Sequence, residues 1–169
     1  FNQHDVEIYD THKWPQKPLF YVCCPSKTDD SVAPVGKENV FILIPVSTEL
    51  EDTQEERQRY FNLVAERLEK HIGVDIRNHI EVYETFAHKD FVSNYNSFKG
   101  NAYGLANTLK QTAFLKPKCK SNKLNNLYYT GQLTVPGPGV PPAIISGKVV
   151  ADLIQKEHQN ESVIRSNIN

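Results

Sequence analysis

The sequence contains no methionine, a single tryptophan and only three cysteines. Cys23 and Cys24 are adjacent and Cys119 is remote, so there is no CxxC pair, the common zinc frameworks are excluded, and the thiols are left free. An excess of charge of either sign is missing too. Nineteen Lys and Arg face 20 Asp and Glu, a formal net charge of -1, so no global field recruits nucleic acid or an anionic membrane surface. No run approaches the ~18 consecutive apolar residues of a membrane span, and no secretory signal opens the chain. Together these absences predict a soluble, cytoplasmic protein with no metal and no nucleic-acid partner. The lack of any Met further predicts that the chain was cut from a longer polypeptide. Its 169 residues, 39% of them hydrophobic, suffice for one globular core or for part of a larger one.

Secondary-structure signals are nonetheless clear in the first half. "PLFYVCCP" (18–25) and "NVFILIPV" (39–46) are β-branched and aromatic runs bounded by prolines, the pattern of two buried strands. The connection "SKTDDSVAPVGKE" is longer than a hairpin requires and reads either as a functional loop or as a mobile excursion. In "TQEERQRYFNLVAERLEKHIG", Thr53 and Glu56 have capping-box spacing. Tyr60, Phe61, Val64, Ala65, Leu68 and Ile72 follow a 3.6-residue rhythm and Gly73 supplies a stop, which predicts an amphipathic helix on a sheet with a solvated charged face. "HIEVYETF" (79–86) alternates as a half-exposed strand would.

From 88 to 112 the sequence is rich in Asn, Gly, Tyr and Phe without a clean period. Gly100 and Gly104 stand among aromatics, where a backbone could approach a planar ligand or pack in an irregular connector. "KPKCKSNK" (116–123) has four lysines in eight residues and reads as a solvated loop, with anion binding as the alternative. The six histidines are scattered, and no Ser/His/Asp order or metal-ligand spacing stands out.

Residues 126–154, "NLYYTGQLTVPGPGVPPAIISGKVVADLI", predict a short buried strand, a stiff loop and a helix buried on most sides, with Pro141 and Pro142 in the helix start where amide donors are not needed. Ala143, Gly147 and Ala151 form a ridge of small residues suited to close approach by a sheet or a flat ligand. Gly137 and Gly139 follow a strand and precede a helix, as in a dinucleotide fingerprint. That reading fails, because Pro142 occupies the third glycine position and no second strand completes a βαβ unit. A phosphate cradle also needs successive amides, which Pro136, Pro138, Pro141 and Pro142 lack. What remains is a loop that stiffly sets strand-to-helix geometry, or one that aims the positive end of a helix at partial negative charge.

This stretch resembles the C-terminal FAD-contacting motif of the bacterial-type phytoene desaturases, carotenoid desaturases of the flavin amine-oxidase superfamily. "CPSKTDDSVAPVG" and "YNSFKGNAYGLANTLKQTAFLKP" are similar to that family's internal signatures and occur in the same order, so the resemblance covers roughly residues 19–155. Val35 departs from it, standing where the family carries an acidic residue. The resemblance implies an α+β fold: a β-sheet substrate-domain portion with packed helices over 1–125, the returning strand, loop and helix of an FAD-binding domain over 126–157, and a polar tail over 158–169. It implies the C-terminal part of an FAD-dependent phytoene dehydrogenase that desaturates a carotenoid precursor by hydride transfer to flavin. The N-terminal half that holds the ADP end of FAD would be a missing partner, and peripheral membrane contact would follow from the substrate's insolubility.

By the same resemblance Gly131, Gln132, Gly137, Gly139 and Val140 would lie along the ribityl and isoalloxazine end of FAD, with the helix end stabilising negative charge near N1 and C2=O of the reduced flavin. Tyr95, Phe98 and Tyr103 are candidates for the apolar substrate tunnel or the flavin face, with ordinary core as the alternative. Catalytic residues are unassigned. Two other functions compete: a non-redox module that binds an apolar ligand, and a flavin-dependent polyene isomerase or saturase.

Overall fold

The computed structural model describes residues 2–105, 111 and 115–166, with side chains as far as residue 159. Two compact units divide the chain, Phe1–Asn101 and Ala102–Asn169. The fold class is α+β, as the resemblance implies.

In the first unit the two apolar runs pair as antiparallel strands, although only three residues of each enter the ladder. Strand β1 (Tyr21–Cys23) meets β2 (Phe41–Leu43) with Tyr21 opposite Leu43 and Cys23 opposite Phe41. The connection between them is tied down. Ser26 Oγ donates to Glu38 Oε2 at 2.6 Å and accepts from the Asn39 amide at 2.9 Å, and Lys27 pairs with the same carboxylate.

Before the strands, a short helix α1 (Asn2–Asp5) continues into a π-turn over Val6–Asp10. The long helix α2 (Gln54–Ile72) starts and stops where its local chemistry dictates. Thr53 Oγ1 accepts from the Glu56 amide at 3.2 Å, and Gly73 closes the helix at φ 75° with its amide on Glu69 O. Only the threonine half of the expected capping box is recorded, because the Glu56 carboxylate is held by Arg59 at 2.7 Å.

The apolar stripe of α2 is covered by the N-terminal segment, where a sheet was expected. A ladder of two three-residue strands is too small to bury a helix of this length. Tyr60, Val64 and Ala65 are buried, and Pro15 and Pro18 are fully enclosed. The Trp14 and Tyr60 rings lie 4.9 Å apart, the Tyr60 hydroxyl donates to Pro15 O, and Arg67 donates to Pro18 O. Burial pushes the Tyr60 phenol up to about 12. The stripe ends early, with Ile72 exposed.

The alternation in residues 79–86 does not produce a strand. Among the described residues no neighbouring strand receives it, so after a 3-10 turn over Ile76–His79 the segment runs as irregular chain with Val82 in solvent. Side chains pin it instead: the tilted rings of Phe61 and Tyr83 lie 4.5 Å apart, and Arg57 Nη1 donates to Thr85 Oγ1 at 3.2 Å. Helix α3 (His88–Tyr95) follows, its first turn fixed by two carboxylates. Asp90 accepts from the Ala87 amide and Asp52 from the Lys89 amide, each at 2.8 Å. Arg57 joins the two acids, clamping Asp52 through Nε and Nη2 at 2.6 and 2.7 Å and reaching Asp90 at 2.8 Å.

The second unit is built around helix α4 (Val140–Ser166), which runs beyond the Ile154 at which the sequence pattern ended. Pro141 and Pro142 fall in its first turn as anticipated. Among the described residues "NLYYTG" forms one bridge, Lys120 with Tyr128, in place of the expected buried strand, and Leu127 and Tyr129 remain exposed. Cys119, Thr134, Ser146 and Val150 form the buried centre. The far part of α4 is anchored by Glu157, which accepts from Lys120 and from the Tyr128 hydroxyl. These hydrogen bonds, that of Lys120 foremost, hold the Glu157 carboxyl below its usual range. Among the described residues no helix is long and apolar enough to cross a membrane.

Candidate functional site

All five residues expected to touch the cofactor lie in the second unit, around the first two turns of α4. Their placement begins with Ser146, which is completely buried. Its hydroxyl accepts from the Gly131 amide at 2.7 Å and donates to Ala143 O at 2.6 Å, so one side chain fixes the end of the bridge segment to the helix. Thr134 closes the following turn: its amide and hydroxyl both donate to Gly131 O, at 3.2 and 3.0 Å. Val135 N then donates to Pro117 O, and the chain enters Pro136–Gly139 and α4.

Gly131, Gly137 and Gly139 hold φ values of 105°, 134° and 108°, a region that side-chain-bearing residues avoid. Among the described residues, no atom other than those of Gly131 and its chain neighbours lies within 4 Å of the place a Cβ would take. Gly139 and Val140 are exposed at the start of α4, and Gln132 is exposed with its amide donating to Ala102 O at 3.3 Å. Gly137 differs. It is buried, and a Cβ there would collide with Lys116 Nζ.

Such a surface fits the edge of a planar, electron-accepting ring. Backbone without side chains permits close approach, and the positive end of a helix faces the same loop. It does not fit a pyrophosphate: Ala143 N is already bonded to Gly139 O, and the prolines contribute no donors.

Tyr103 lies in the same unit and is exposed; Tyr95 and Phe98 belong to the first unit and are also exposed. None of the three is core within this chain. Tyr95, at the end of α3, joins Phe86 and Phe91 in an aromatic group with ring separations of 4.8 to 6.2 Å. The structure therefore does not bring the three together as one cluster within either unit. Gly100 and Gly104 are accounted for by protein neighbours: a Cβ on the first would meet His88 Cβ at 2.8 Å, and on the second Leu133 Cδ2 at 2.6 Å. Residues 106–110 and 112–114 of the second family-like signature lie outside the described residues.

Two features escaped the sequence reading. One is Ser146, an unremarkable serine in an apolar helix whose role depends on Gly131. The other is Lys116, only 6% exposed within a lysine cluster that reads as solvated. Among the described residues, nothing outside its own helix and chain neighbours lies within 4 Å of a Cβ on Gly147, in the ridge of Ala143, Gly147 and Ala151. Val140, Ile144, Ile145 and Val149 are exposed as well, so α4 buries a narrower face than its composition suggested. An open hollow on α2, lined by Gln54, Glu55, Gln58, Arg59 and Asn62, includes none of these residues.

Ser146→Val removes both hydrogen bonds and leaves the Gly131 amide unpaired. It is expected to destabilise the protein by about 1–3 kcal/mol. Urea unfolding beside Ser146→Thr, which keeps the hydroxyl, checks this: equal midpoints for the two variants contradict the assignment.

No protein-family model matches the chain. Curated relatives do. The carotenoid 3,4-desaturase of Haloarcula japonica is 44% identical over 154 residues, which is 91% of this chain and 31% of that protein. The chain is homologous to carotenoid desaturases. The 4,4'-diaponeurosporene oxygenase of Staphylococcus aureus is 34% identical over 88% of the chain and 30% of its own length. The 4,4'-diapolycopen-4-al dehydrogenase of Metabacillus indicus is 30% identical over 95% and 33%. The chain thus spans about a third of the length of these relatives, which are named as a desaturase, an oxygenase and a dehydrogenase.

Proposed function

We propose that this carotenoid-desaturase homologue is the C-terminal, flavin-edge part of an FAD-dependent enzyme that desaturates phytoene or a related carotenoid precursor by hydride transfer. The observation that carries the reading is the geometry at the start of α4. Three glycines hold conformations closed to other residues beside an exposed helix end, in a chain whose relatives act, by their names, on carotenoids.

FAD, when bound, supplies a two-electron acceptor for a C–H bond of the polyene. The chain's own part is to hold the edge of the ring. Gly131 and Gly139 offer bare backbone, Val140 and Gln132 border it, and Ser146 keeps Gly131 in register with α4. The helix end favours negative charge at that edge. On the substrate side Tyr95, Phe98 and Tyr103 supply exposed aromatic surface of the kind a polar-group-free polyene requires. Domain limits near residue 125 and a peripheral approach to the membrane complete the proposal.

The test uses the complete polypeptide reconstituted with FAD, without oxygen, and given phytoene. Bleaching of the flavin together with a product whose absorbance has moved to the red by a further conjugated double bond is expected. A product that isomerises without flavin bleaching, or binding of the polyene with no flavin present, supports the competing functions and defeats this one.

A further inference from the structure

Every arginine and lysine of α2 sits against a carboxylate except Arg67. Arg57 grips Asp52 and Asp90, Arg59 lies on Glu56, and Lys70 on Glu66. Arg67 forms no ion pair among the described residues: its Nη1 donates to Pro18 O, and its guanidinium carbon lies 4.6 Å from the centre of the Phe20 ring. These two contacts fix the guanidinium plane and leave the Nε–Nη2 edge without an acceptor among the described residues. It is the same edge with which Arg57 clamps Asp52, at 2.6 and 2.7 Å, and its parallel N–H groups match the oxygens of a carboxylate or a phosphate. The surroundings choose between the two. Arg67 lines a hollow together with Gln16, Lys17 and Leu63. Lys17 is exposed and has no carboxylate partner among the described residues. The Glu7 carboxylate is occupied by the Gln3 side-chain amide and the Gln16 backbone N–H, each at 3.1 Å. Two cations at one hollow match the double charge of a phosphate better than the single charge of a carboxylate.

We infer that this hollow, between the N-terminal segment and the middle of α2, binds a phosphate group. Arg67 supplies the fork, Lys17 the second charge and the Gln16 side-chain amide a further donor, with Leu63 as an apolar wall. Arg67 is half-buried and already oriented by Pro18 and Phe20, so little side-chain freedom is lost when the anion arrives. The ligand class is inorganic phosphate or a phosphomonoester, which a lipid headgroup and a soluble molecule present alike. The site lies in the first unit, and the inference stands independently of the flavin reading.

The test titrates the complete polypeptide with inorganic phosphate at constant ionic strength and follows binding by phosphorus NMR line width. Saturable binding is expected in the parent. Arg67→Lys, which keeps the charge and loses the fork, is expected to weaken it by roughly tenfold, and Lys17→Gln by roughly fivefold. Lys17 holds no side-chain hydrogen bond or ion pair among the described residues, so Lys17→Gln is expected to keep the parent's melting temperature and decides the matter if Arg67→Lys fails to fold. Pelleting with phosphatidylcholine vesicles that contain or lack phosphatidic acid separates the sources. Retention by phosphatidic acid that inorganic phosphate reverses identifies a lipid headgroup, and phosphate binding without retention identifies a soluble phosphate; both support the inference. Line widths that never saturate, displacement of phosphate by an equal concentration of chloride, or a dissociation constant unchanged in Lys17→Gln would leave Arg67 as a strut for Pro18 alone and overturn it.

Discussion

Asp52→Ala is expected to destabilise the protein by about 3–5 kcal/mol, the range for breaking a buried ion pair by removal of one partner. The side chain of Asp52 is 1% exposed and that of Arg57 11%, and the pair is bidentate. Removing the carboxylate strands a buried guanidinium beside Asp90 and also leaves the Lys89 amide at the start of α3 without its acceptor. Arg57 is the pivot of three segments, reaching Asp52 before α2, Thr85 in the irregular chain and Asp90 in α3. Urea unfolding of Asp52→Ala and Asp52→Asn checks the magnitude. A cost below about 1 kcal/mol for the alanine variant would place the pair among ordinary surface contacts.

The same pair sets an acid limit. The Arg57 hydrogen bonds hold the Asp52 carboxyl below the usual carboxylate range, so its folded pKa is lower than its unfolded one. Its contribution is fully present above the unfolded value, near ~3.9, and is lost as pH falls from there through the folded value. Asp52→Asn is therefore expected to flatten the acid side of the stability profile, which thermal melts between pH 2 and 6 resolve.

What the sequence disclosed was local. The cap at Thr53 and the stop at Gly73 are written within three or four residues of where they act, and both formed. The proline-led start of α4 is equally local. Strands are not: "HIEVYETF" has the right alternation, but a ladder needs a neighbour, and the side chains of Phe61 and Arg57 claimed the segment. "NLYYTG" kept one bridge for the same reason. Long-range selection also explains Lys116. Nothing in "KPKCKSNK" separates it from its three neighbours, whereas in the fold it lies against Gly137, 21 positions away. The candidate flavin edge was legible as residue types at 131–140; the Ser146 bond to Gly131 and the burial of Lys116 against Gly137 were not, because both act across sequence.

Gly139 offers the sharpest test of that edge. At φ 108° a β-branched residue is strained, and a Cβ would stand 3.4 Å from Pro142 Cδ, so the loop must turn away from the helix end or store strain. Strain of about 1–3 kcal/mol is typical of such positions, equivalent to roughly five- to 150-fold in affinity for a ligand that needs the loop as it stands. Methyl groups would also project where a ring edge approaches. The decisive measurement is the flavin content of the complete polypeptide, read from its absorbance near the visible flavin band after gel filtration, before and after Gly139→Val. The account predicts close to one FAD per parent chain and a loss of at least about fivefold in FAD affinity in the variant with helical content retained. Equal flavin content in the two proteins, or none in the parent, would contradict it.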